Sequence, residues 1–385
     1  MIRLGCLLLG FVAVSANIAS ACTFCAGGTS RPTLREQAAQ ATVVLVGELK
    51  NPRFSPDGDR GTTEFHPRKA LKSDPRVKLG VIVIPQYIPV VADTPPDFIL
   101  FCAITEKGLD PFHGIPSNNR RLDYVQSRLT LTDPKSSDRL VTAFPFLDSA
   151  DEVIATDAYL EFAKAPDKEI VAIRDRLKPA VLERLLANNR TPRDRIGVFA
   201  MLYGLCANRA DAHVLSRPLD EQPISERVRE NLGGYLAGLT LLDPALGWGK
   251  TEAILADVSR PFDQRLAALG TIRFFQMTGP VENQKRIVEI YRGLVRQGDL
   301  ADLVIEDLRR WGCWDLSPEI VGMFGKPGHD TPLVRRAIVR YARSAPDRTS
   351  QEFLARVRVS HPDLVATVEE SMKLYEAKPI TSPPK

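Results

Sequence analysis

Apolar positions recur along the chain in two rhythms. From about residue 150 to residue 376 they fall at helical spacing. The clearest case is 331–343, where Val334, Ala337, Ile338, Tyr341 and Ala342 stand at i, i+3, i+4, i+7 and i+8. Pro332 suits a first helical position, and Thr331 before it supplies an N-cap oxygen. Similar stripes predict core helices over 153–163, 195–206, 228–241, 262–275 and 300–311, with second helices over 169–177, 251–258, 284–295, 318–324 and 351–359. Pro179, Pro192, Pro261, Pro332 and Pro362 each lie near a helix start. Starts recur at roughly 32–40 residues, the period of a helix-pair repeat, and stacking such pairs buries faces that no single pair can bury.

The other rhythm belongs to the N-terminal part. After a short helix at 35–41, β-branched apolar runs predict strands at 42–49, 62–72, 79–85 and 98–104. Turn residues at 51–61 predict a hairpin loop, and Pro67 suits an edge or a bulge. The run 98–104 is apolar on both faces. A helix at 122–129 follows. Short strands at turn-separated intervals predict a small β-barrel or sandwich. The expected chain is thus α+β and multidomain, with a β-rich domain at 22–130, a helical repeat array at 135–376 and a Pro-rich, disordered tail at 377–385.

The first 21 residues read as a signal peptide: Arg3 is the positive n-region, 4–14 an apolar h-region, and Ala19, Ser20 and Ala21 a cleavage site. No later stretch is apolar enough to span a membrane, so the mature chain is expected to be exported, periplasmic or extracellular, in a compartment that permits disulfides. Cys22 would then be the mature N-terminus. It either joins a disulfide or carries a lipid anchor, although Ala19 stands where the lipoprotein motif carries Leu.

Composition changes this picture little. A chain of 385 residues, 44% hydrophobic and 25% charged, is long enough for two or three folded domains. A net charge of +4 with the signs interleaved argues against nucleic-acid binding.

Candidate chemistry is sparse. Cys22 and Cys25 form a Cys-x-x-Cys pair. Ala26 stands where a haem site needs His, and no second Cys pair or His cluster completes a zinc site. A disulfide within the pair, or from one member to Cys102, is the first expectation; a redox or metal role is the alternative. Cys206 and Cys313 lie on helical faces or ends, where thiols are commonly inert. The five histidines are scattered, and no metalloprotease helix, nucleophile elbow or phosphate loop occurs. A non-enzymatic protein without a cofactor is therefore expected, its oligomeric state open. Arg309, Arg310, Trp311 and Trp314 crowd one segment, which suits either a partner interface or packing between repeats. Arg335 and Arg336 join them as partner-binding candidates if their charges face outward.

Several runs resemble known families. The start with near-terminal cysteines, a helix and a VVLVG strand resembles the OB-like netrin-module barrels. The segments 330–337 and 260–269 resemble the second helix of HEAT repeats, an armadillo-like α-solenoid architecture. More broadly, the Cys-x-Phe-Cys start, the EFAKA run at 161–165 and the VIEDLRRW run at 304–311 are similar to a secreted bacterial family of planctomycete type. That resemblance implies a fold and a compartment, and no activity. The function expected from all this is an exported scaffold that binds a protein through its helical surface.

Overall fold

The computed structural model describes residues 22–24, 31–54, 61–90, 97–106, 108–131 and 137–377. The expected signal peptide, Cys25, the tip of the 51–61 hairpin and the tail from Lys378 lie outside the described residues. The chain is an α+β protein that divides into two compact units. One runs to Ile170; the other begins at Val171 and includes Phe24. The helices between residues 119 and 163 belong with the sheet, beyond the boundary near 130–135 read from the pattern.

In the first unit, α1 (Leu34–Gln40) precedes β1 (Val43–Phe54), β2 (Gly61–Lys72), β3 (Ile82–Ile84), β4 (Asp97–Thr105) and β5 (Gly108–Pro116). Three main helices follow: α2 (Asn119–Leu129), α3 (Asp138–Ala143) and α4 (Glu152–Ala163). The strands form one antiparallel sheet in the order β3-β2-β1-β4-β5. The barrel expectation is corrected here, because the sheet is open. β3 is only three residues long and pairs with β2 over Thr63–Phe65 alone, while β5 forms the opposite edge.

The two-residue period of β1 explains the layering. Val44 and Val46 join Ile99, Phe101 and Ile115 under α1, α2 and α4. Val43, Leu45 and Leu49 join Phe65, Leu100 and Cys102 on the other face. Central strands covered on both faces read as continuous apolar runs, as β4 does. Pro67 sits opposite Gly47, at a register shift beyond the end of β3, where its missing N–H interrupts no ladder on that side. Gly47 has no alternative, since a Cβ there would overlap the His66 backbone.

The second unit is helical. The chain enters it within α5 (Asp167–Ala172) and continues through α6 (Pro179–Ala187), α7 (Ile196–Cys206), α8 (His213–Asp220), α9 (Glu226–Arg229), α10 (Leu232–Leu242) and α11 (Pro244–Ala256). Then come α12 (Phe262–Thr278), α13 (Asn283–Val295), α14 (Ala301–Trp311), α15 (Ser317–Gly322), α16 (Pro332–Ser344), α17 (Arg348–Ser360) and α18 (Pro362–Ala377). Pro179, Pro244, Pro332 and Pro362 open their helices, where no intrahelical N–H is needed. Alternate helices touch: α7 packs on α10, α10 on α12, α14 on α16 and α16 on α18, while α11, α13, α15 and α17 form a second series. No described helix is long and apolar enough to cross a membrane.

Several ties in this unit span the same sequence distance. Gly197 N donates to Asn231 Oδ1 (2.8 Å), Arg209 Nε to Asp243 (3.1 Å), Arg273 Nε to Asp307 (2.7 Å) and His329 Nε2 to the Val295 carbonyl (2.8 Å), each across 34 residues. Arg286 with Glu252 and Arg265 with Asp299 are also 34 residues apart. α7 and α10 approach so closely that a Cβ on Gly204 would overlap the Gly238 backbone, and one on Gly234 would overlap that of Gly197.

Candidate functional site

The cysteines correct one expectation. Among the described residues there is no disulfide, and Cys22, Cys102, Cys206 and Cys313 are free thiols. Cys102 is sealed in the apolar layer on the face of the sheet away from α4. Cys22 is instead held at the end of α4, where its N–H donates to the Ala163 carbonyl (3.3 Å). No disulfide joins the two. Burial, with the Asp110 charge adding to it, pushes the Cys102 thiol up to about 11, and burial pushes Cys206 up to about 12, so neither forms a reactive thiolate near neutral pH. No group of three metal-binding side chains forms among the described residues.

A polar cluster that the sequence reading did not anticipate lies inside the first unit. Glu161, the first residue of the EFAKA run, is wholly buried on α4. It accepts from Arg35 Nε (3.0 and 3.2 Å) and from Thr33 Oγ1 (2.8 Å), and lies 3.5 Å from Arg139 Nη1. One turn away, Asp157 accepts from Leu34 N (2.6 Å) and from the Tyr124 hydroxyl (2.8 Å). Burial pushes the Asp157 carboxyl up to about 6, against the lowering effect of those two hydrogen bonds. These contacts join α1, α2 and α3 to α4.

The residues singled out near the C-terminal end of the chain are brought together more usefully. Arg309, Arg310 and Glu306 on α14, Arg336 and Arg340 on α16, and Val368 and Met372 on α18 line a cleft of about 580 Å³. Glu306 is the only carboxylate in that lining. It receives a bidentate pair from Arg309 (3.0 and 2.7 Å) and a single bond from Arg310 Nε (3.2 Å), with Arg340 Nε at 3.4 Å. Burial alone would raise the Glu306 carboxyl, but the Arg309 hydrogen bond and the charges of Arg309, Arg340 and Arg310 outweigh it and hold the group below its usual range.

Three guanidinium groups thus surround one carboxylate, and a fourth, that of Arg336, lines the same cleft. Arg336 is exposed and makes no ion pair among the described residues. The hydroxyls of Thr367 and Ser371 at the wall already donate to the Asp363 and Val368 carbonyls (both 2.8 Å), so the cleft's remaining donors are its arginines. Fork-shaped guanidinium groups beside Val368 and Met372 suit carboxylates carried on a partly apolar segment.

The other candidates are engaged in packing. The Trp311 ring lies 4.9 Å from Tyr291, and Trp314 lies 5.1 Å from Tyr341. Arg335 turns back to Asp330 (2.6 Å) and over the Phe324 ring (5.6 Å). Arg340 and the α18 wall were missed in the sequence reading, since nothing in residues 362–377 marks which face will meet α16. Comparison with protein families, with curated protein sequences and with solved structures returns no match for this chain.

Proposed function

We propose that this is an exported, non-enzymatic binding protein whose helical unit is a HEAT-like solenoid, and that the cleft between α14, α16 and α18 holds an acidic segment of a protein partner. The observation that carries the proposal is the cleft itself, lined by four arginines and a single carboxylate that Arg309 and Arg310 already bond. The solenoid reading is supported by the ties across 34 residues and by the alternation of helix contacts. Export is supported by the signal-like residues 1–21, and the secreted-family resemblance agrees with it. An arginine-rich cleft with apolar margins has the composition of an interface hot spot.

The test uses the full chain and a charge-reversed form, Arg310→Glu with Arg336→Glu. Arg336 is unpaired among the described residues and Arg310 gives up an exposed pair with Glu306, so stability should fall by no more than about 1 kcal/mol. Crosslinking in cell-envelope extract should join the wild type to a protein through an acidic segment, and the reversed form should lose that product. Equal crosslinking by both forms would remove the cleft from the interface. Recovery of the chain from the cytosol with residues 1–21 intact would refute export.

A further inference from the structure

We propose that the first unit also contains a binding site for a neutral nitrogen heterocycle of the purine or pyrimidine base class, in the cleft between α1, β5 and α4, with the Gln37 amide as its hydrogen-bonding fork. Gln37 lies on the buried side of α1 and is only 7% exposed. Its buried neighbours Thr33, Arg35 and Asp157 are all hydrogen-bonded. The Gln37 side chain makes no hydrogen bond among the described residues. No atom of it is both unbonded and cut off from solvent, so the amide keeps surface open to water. The open space that Gln37 borders is the cleft. An amide offers a donor and an acceptor side by side, and leaving both idle beside an apolar wall is unfavourable.

The cleft has a volume of about 500 Å³, within the range that holds small molecules. Leu34, Ile115 and Leu160 are buried in its wall and make that wall apolar. His113 on β5 is half-buried in the same wall, its ring 5.4 Å from that of Phe101. Neither of its ring nitrogens has a hydrogen-bond partner among the described residues. Burial, with the Arg31 charge adding to it, holds the imidazole below its usual value, so near neutral pH it offers one donor and one acceptor. Buried Asp157 spends its oxygens on the Leu34 N–H and the Tyr124 hydroxyl, and Glu152 accepts from Thr156 (3.0 Å). Arg31 and Glu152 are exposed and opposite in charge. An idle amide and a neutral imidazole, flanked by balanced charges, suit a ligand without net charge. A base edge with an amino group beside a ring nitrogen presents the donor and acceptor that a glutamine amide matches with two bonds. Its ring would then lie along the apolar wall.

The experiment is saturation-transfer NMR with calorimetric titration on the full chain, using adenine and cytosine beside their derivatives with a dimethylated amino group. At least one base should bind saturably. Its dimethylated derivative keeps the ring nitrogen, loses the donor, and should bind about tenfold more weakly. Binding by neither base, or equal binding by base and derivative, overturns the proposal. Gln37→Met keeps the length of the side chain, and the amide it removes ties nothing internally. The variant should melt no lower than wild type and bind the base about tenfold more weakly; wild-type affinity would also overturn the proposal. His113→Phe keeps a ring against Phe101 and serves as the second variant. It should weaken binding several-fold, and unchanged affinity counts against the site.

Discussion

The two units solve the problem of fixing helices in opposite ways. In the first, the interior is tied by charge: Glu161 and Asp157 on α4 collect Arg35, Arg139, Thr33, the Leu34 N–H and Tyr124 from three other helices and the segment before α1. In the second, α7 and α10 meet backbone to backbone through Gly197, Gly204, Gly234 and Gly238, and many charges sit at the rims, as in Arg209–Asp243 and Arg286–Glu252. One unit concentrates its specificity in a single polar knot, where each member depends on the rest. The other divides it among many small ties. The first should therefore fail abruptly, the second gradually.

The sharpest way to break this contrast is Glu161→Ala. It takes the main counter-ion from buried Arg35 and one of two carboxylates from buried Arg139, which keeps Glu169, and should cost about 3 kcal/mol, read as a lower urea midpoint. A loss below about 1 kcal/mol would mean that the knot is ornamental. Gly204→Val tests the other unit, since the added carbons meet the Gly238 backbone. A cost near 3 kcal/mol is expected in the same assay, at the upper end of overpacking.

Asp157 gives the first unit a pH signature. Its folded carboxyl, at about 6, holds a proton more tightly than an unfolded aspartate near 4. The folded state thus binds more protons, and this group's contribution is greatest below about pH 4 and declines as pH rises to about 6. The difference in stability between wild type and Asp157→Asn should change by roughly 2 kcal/mol across that window and flatten above it. A difference independent of pH would place the carboxyl at its ordinary value. Smallest of all, Arg209→Ala removes one exposed tie and should change stability by less than about 1 kcal/mol in equilibrium unfolding.

Much of this fold is readable before any coordinates. The stripe of Val334, Ala337, Ile338, Tyr341 and Ala342 is wholly buried, and strands β1, β2 and β4 fall where β-branched runs place them. The repeat spacing read from helix starts brackets the 34-residue ties. β5 was missed because Asp110, Pro111 and Gly114 break any alternation; a strand at the sheet's edge needs only one partner and tolerates them. Glu161 resembled a surface charge on a helix, since its partner Arg35 is 126 residues away. Local pattern says how polar a residue is, not what stands over it. The arginine cleft was half visible, as Arg309, Arg310 and Arg336 were singled out without the α18 wall that encloses them.

The 34-residue ties also bear on how the second unit comes into being. A contact between residues n apart requires a loop of that length to close, at an entropic cost that grows only with the logarithm of n. Gly197–Asn231, Arg209–Asp243, Arg273–Asp307 and Val295–His329 close loops of one size, so none must wait for a longer one. Assembly can begin wherever two neighbouring helices first meet and spread in either direction from there. A chain emerging from a ribosome could close each of these ties as soon as the next 34 residues are free.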